Sequence, residues 1–102
     1  MPTFMDFHSM GKYTEDDLKK SQTEPRDEFG VKVLNIFYDT ESCMIFCLLD
    51  APDRYAVENH HAKFGTKCEW ITPVKMTVEY EGSNLAGADF APKKLLQQQS
   101  GE

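Results

Sequence analysis

The order of elements in this chain predicts an α+β domain: a β-α-β-β-α-β sandwich, the ferredoxin-like arrangement. A four-stranded antiparallel sheet in the order 4-1-3-2 carries two helices on one face. Three observations lead there. Strand-like and helix-like segments alternate in that order along residues 1–80. The run Met44–Leu49 is apolar without alternation, which suits a central strand. Pro73 lies inside the last strand segment and cannot donate to a ladder, which suits an edge. Right-handed crossovers place strand three in the centre and strand four at an edge, so both features agree with one topology.

The elements follow in chain order. Thr3–His8 alternates as a short strand, with Phe4, Asp6 and His8 on one face. Thr14 is a good N-cap, Glu15, Asp16 and Asp17 favour the positive end of a helix, and Asp17 stands where a capping-box acid would. That helix is anchored by Leu18 and interrupted at Pro25, with a last turn through Phe29 ending at Gly30. Val31–Tyr38 and Cys43–Asp50 are strands joined by the polar turn Asp39–Ser42, hence a hairpin. Pro52 opens the second helix in its first turn, and Val57, His60, His61 and Phe64 follow the spacing of an inward stripe. Gly65 is its stop. Trp70–Tyr80 is the last strand. Residues 81–102 change in composition and read as a tail, frayed or docked on a partner subunit through Leu85, Phe90, Leu95 and Leu96.

A length of 102 residues suits one domain with one modest core. The net charge of -6 disfavours nucleic-acid and anionic-membrane partners, which need basic surfaces. No apolar run is long enough to span a bilayer, and the first residues lack a basic, signal-like segment, so a cytoplasmic protein is expected. Three cysteines, Cys43, Cys47 and Cys68, suit reduced thiols rather than a disulfide framework, and none forms a C-x-x-C pair. The sheet face without helices, with Phe4, Phe37 and Trp70 as candidate residues, predicts a homodimer through that open face.

The chemistry concentrates at one end of this topology. The end of strand one brings His8, with Asp6 on the same face, and the end of helix two brings His60 and His61. Cys47 lies on the neighbouring strand, with Cys43 and Cys68 as bystanders at the same end. Imidazole, thiolate and carboxylate groups together suit Ni(II), Zn, Cu or Co better than Mg or Ca. His60 and His61 are adjacent, about 100° apart around the helix, which is a poorer arrangement than i, i+4 ligands. A histidine satisfied by a core hydrogen bond, or a cysteine that merely fills space, competes with ligation at each position. Asp6 has three roles open to it: ligand, orienting carboxylate or partner of a surface lysine. There is no P-loop, glycine fingerprint or nucleophile elbow, and no third residue completes a Cys–His pair.

At these residues the chain resembles a known family. M-D-F-H near the start, the threonine-capped helix, G-V before strand two, F-C-L-L-D-A-P-D, A-V-E-N-H-H and F-G are similar to the small nickel-binding ferredoxin-like proteins, long catalogued as a domain of unknown function. The similarity runs from about Pro2 to Val78. It implies a dimer that binds Ni(II), with no secure catalytic activity, and carries His8, His60 and Cys47 over as shared positions. His61 and Asp6 are added by the geometry. The chain departs from the family at Gln22, where members often carry a histidine, and in the Pro25 that shortens the first helix.

Three functions are thus expected in order. The first is a metal-binding protein for storage, buffering or sensing. The second is a small-molecule-binding or catalytic dimeric α/β protein using the same His/Cys cluster. The third is an interaction module with incidental histidines.

Overall fold

The protein's structure is a computed structural model that describes residues 1–78, built as β1 (Thr3–Ser9), α1 (Glu15–Thr23), β2 (Lys32–Asp39), β3 (Met44–Asp50), α2 (Arg54–Ala62) and β4 (Trp70–Val74). The tail expected at 81–102, and the end of the last expected strand at 79–80, lie outside the described residues. The strands form one antiparallel sheet in the order β2-β3-β1-β4, the expected 4-1-3-2 read from the other edge. The architecture is the α+β ferredoxin-like one. No helix among the described residues is long and apolar enough to cross a membrane.

Local chemistry explains most boundaries. Thr14 caps α1: its hydroxyl accepts from the Asp17 N–H at 3.2 Å, while the Asp17 carboxylate accepts from the Thr14 N–H at 2.9 Å. α1 stops at Thr23, because residues before a proline are pushed out of the helical region and Glu24 is extended (ψ 143). The turn of helix expected through Phe29 is absent. In its place the Asp27 carboxylate accepts from the N–H groups of Phe29 and Val31, both at 2.9 Å, and the loop turns at Gly30 with φ +84. A side chain at Gly30 would also meet the Pro52 ring at 3.0 Å, so glycine is required there twice over.

Asp53 caps α2 by accepting from the Ala56 N–H, with Pro52 just outside the helix rather than in its first turn. β4 ends at Val74, one residue past Pro73, so the strand expected to continue toward Tyr80 stops early where the proline removes a donor.

Alternation divides the sheet into two faces. Phe4, Asp6 and His8 of β1, Ile45, Cys47 and Leu49 of β3 and Ile71 of β4 are buried beneath the helices with Leu18, Ala56 and Val57. Phe4 therefore belongs to the core, not to the open face where it was expected. The open face carries Phe7, Phe46 and Trp70, with ring centroids 5.0 to 6.2 Å apart, and a second small cluster of Leu34 and Leu48 with Met5, Val74 and Met76. Phe37 and Trp70 remain 50% and 41% exposed, so this face is apolar and open to a partner. The expected inward stripe of α2 is narrower than its spacing suggests. Val57 and His61 point in, and Phe64 follows the helix end outward and is exposed.

Candidate metal centre

Asp6 lies on a central strand, so its side chain is flanked on both sides. Its register partners are Cys47 on β3 and Ile71 on β4. His8 follows two residues later on the same face, opposite Ile45. His61 descends onto them from the last turn of α2. One donor atom from each of Asp6, His8, Cys47 and His61 lies within 4.8 Å of the other three, and all four residues are buried.

Hydrogen bonds turn the free nitrogen of both imidazoles in this group inward. His61 donates from Nδ1 to the Val57 carbonyl at 2.9 Å, and His8 donates from Nδ1 to the Ser9 carbonyl at 2.9 Å. With Nδ1 protonated, each ring keeps its Nε2 lone pair for the interior. His61 Nε2 is 3.4 Å from one Asp6 oxygen and His8 Nε2 is 3.9 Å from the other. The Cys47 Sγ is 3.7 Å from His8 Nε2. Both Asp6 carboxylate oxygens are fully buried without a hydrogen-bond partner. The thiols of Cys47 and Cys68 face this carboxylate, yet neither reaches it in good geometry.

Burial controls the protonation of the group. It lifts the Asp6 carboxyl from 3.8 to about 7, against a smaller opposing pull from the Cys47 and Cys68 thiols. It drives His61 down to about 4 and pushes His8 below its ordinary value. Burial, and then the Asp6 charge, hold the Cys47 thiol well above its usual range and push Cys68 up to about 12. Without a cation, the site thus favours four neutral groups. A bound cation reverses that preference, because it pairs with the carboxylate and thiolate that burial penalises.

Of the five expected site residues, the structure brings four together and leaves His60 outside. His60 donates from Nδ1 to Asp27 Oδ2 at 2.6 Å, with Lys63 Nζ on the same oxygen at 3.1 Å. Its ring meets His61 edge-on at 5.2 Å. Cys43 is exposed in the hairpin turn with φ +57, away from the group. Gln22 donates to the Leu34 carbonyl at 2.8 Å and so ties α1 to β2.

Two neighbours escape sequence reasoning. Cys68, expected as a bystander, is half-buried beside Asp6. It sits in the loop before β4, where no periodicity exists to place a side chain. Asp27 lies in an irregular loop for the same reason.

A groove of about 970 Å³ opens between the helices on the same side of the sheet. His8 lines it, as do Tyr13, His60, Phe64 and Lys63. Asp6, Cys47 and His61 do not. The Tyr13 hydroxyl and the Thr66 hydroxyl close one side of it at 2.7 Å, and the Tyr13 ring stands 5.9 Å from His8.

Comparison with known proteins places the chain in a family and beside a solved structure. The family described as nickel responsive protein SCO4226-like matches residues 4–74, a stretch that reaches from β1 to the end of β4. The chain is similar to the crystal structure of SCO4226 from Streptomyces coelicolor A3(2), at 28% identity and a TM-score of 0.61. That match covers 74% of this chain and 98% of the other. No curated protein matches the chain.

Proposed function

The chain belongs to the SCO4226-like family of nickel responsive proteins, and from that premise we propose that it binds a divalent transition metal, nickel first, through Asp6, His8, Cys47 and His61. The observation that carries this reading is the pair of buried Asp6 oxygens with no hydrogen-bond partner, facing two imidazole Nε2 lone pairs. A buried carboxylate without donors costs free energy, and a cation would pair with it and with the two imidazole lone pairs at once. Two nitrogens, a sulfur and a carboxylate suit Ni(II), Zn, Cu or Co. When bound, the ion supplies positive charge that holds Asp6 and Cys47 in their ionised forms. The protein's part is to fix the tautomers through Val57 and Ser9 and to exclude water.

The role is storage, buffering or sensing in the cytoplasm, by a homodimer joined through the open sheet face. The exposed aromatic residues of that face support the dimer. A second reading, a small organic ligand held against His8, draws on the size of the groove. Titration calorimetry with Ni(II), Zn(II), Cu(II) and Co(II) on wild type, His8→Ala and His61→Ala distinguishes them. Uptake at a fixed ratio per chain, lost in both variants, is the expected result. No uptake by the wild type would remove the metal reading and leave the groove ligand.

A further inference from the structure

The four residues of the cluster are each less than 8% exposed, so little of them faces bulk water. The cluster meets solvent through the groove, and it does so at His8, the one member of the four that lines it. The chain has three histidines, and the third, His60, lines the same groove without belonging to the cluster. Its Nδ1 is fixed on Asp27 at 2.6 Å, which leaves Nε2 as the nitrogen with a free lone pair. A carboxylate behind an imidazole locks its orientation, as it does for metal-ligating histidines generally. Asp27 is itself held by the N–H groups of Phe29 and Val31 and by Lys63, so the imidazole is mounted on a fixed support. The three rings then form a short series, with centroids 5.2 Å apart from His60 to His61 and 5.1 Å from His61 to His8.

We propose that His60, positioned by Asp27, is the capture ligand of the groove: the first protein atom that an incoming divalent ion binds before it passes to Asp6, His8, Cys47 and His61. This inference rests on the metal-binding reading above. His60 is absent from the final ligand set, so it changes the path and not the end states. Removing it must slow uptake and release by the same factor and leave the equilibrium affinity unchanged. Asp27 is a positioning residue in this scheme.

The test is stopped-flow mixing of the metal-free full chain with Ni(II) sulfate, read by the thiolate-to-metal absorption of Cys47, followed by release into excess EDTA. The variants are His60→Gln, whose amide retains a donor for Asp27, and Asp27→Asn. We expect His60→Gln to slow both uptake and release by about tenfold, with unchanged stoichiometry and dissociation constant, and Asp27→Asn to slow both less. Circular dichroism confirms the fold of each. Unchanged rates in His60→Gln would overturn the proposal. So would a loss of affinity or stoichiometry, which would make His60 a ligand of the final site. Absence of uptake by the wild-type chain would instead defeat the metal-binding reading itself, and this inference with it.

Discussion

Asp6 and Cys47 stand directly opposite each other in the β1–β3 ladder, on the face covered by α2. Two acidic groups placed across a central ladder are hard to ionise together, and burial raises the proton affinity of both. A cation and protons therefore compete for the same pair.

Replacing Asp6 should separate stability from metal binding. The folded-state value of Asp6 lies near 7, above its ordinary 3.8. Its contribution to stability is therefore full below about pH 4 and is lost as pH rises through 7, a penalty on the order of 4 kcal/mol. His61 acts in the opposite direction. Its value falls to about 4, so its contribution is present above 6.5 and lost as pH falls toward 4. Between about pH 4 and 6.5 the two slopes oppose, and above that range the Asp6 penalty stands alone. Metal-free Asp6→Asn should therefore melt higher than metal-free wild type at pH 8, by a margin that shrinks at pH 5. Its nickel affinity should fall by about a hundredfold or more. Scanning calorimetry with chelator present checks the first part. A lower melting point for the variant at pH 8 would show that the ionised carboxylate stabilises the apo fold.

The same values predict how many protons leave when metal enters. Cys47 is a thiol throughout the working range, so binding as thiolate releases one proton at any pH. Asp6 adds another only below its value near 7. Calorimetric titrations in buffers of different ionisation enthalpy should give about two protons at pH 6 and about one at pH 8, with affinity rising between them. A count that does not change with pH would exclude Asp6 from the site.

The fold was legible because its signals are local or periodic. The Thr14–Asp17 cap, the apolar run of β3 and Pro73 in β4 each constrain one element, and together they leave one topology. Phe4 was misplaced because a phenylalanine suits either face of a strand; its alternation with Asp6 and His8 puts it on the face the helices cover. The cluster was legible to the extent that strand alternation puts Asp6 and His8 together and the hairpin brings Cys47 beside them. The choice between His60 and His61 was not. Adjacent residues on a helix differ by about 100° in direction, and the deciding contact is Asp27, in a loop with no period. Cys68 escaped for the same reason.

The open sheet face yields a prediction about assembly. Phe7, Phe46 and Trp70 form a contiguous aromatic group there, joined by Phe37, which pairs with Phe46 across the β2–β3 ladder. If two copies bury this face, a charge at its centre is left without a partner and costs several kcal/mol. Phe46→Lys should sediment as a monomer at concentrations where the wild type is a dimer. It should keep its far-ultraviolet circular dichroism, because Phe46 lies outside the core beneath the helices. A wild-type chain that sediments as a monomer would refute the dimer, and a dimeric variant would place the interface elsewhere.

The two cysteines near Asp6 should behave differently on substitution. Cys47 belongs to the group of donor atoms within 4.8 Å of one another, whereas Cys68 faces Asp6 from the loop before β4 and lies outside that group. Cys47→Ser replaces a soft donor with a hydroxyl that does not ionise near neutral pH, so it should abolish the thiolate-to-nickel absorption and weaken binding by about a hundredfold or more. Cys68→Ser removes only a weak donor beside the carboxylate. It should keep the absorption band and the stoichiometry, and change affinity by no more than about tenfold, the scale of a group that acts through a ligand. Absorption spectra recorded during nickel titration of both variants decide the matter. If the band disappears in Cys68→Ser and survives in Cys47→Ser, the sulfur ligand is the loop cysteine, and β3 supplies only packing.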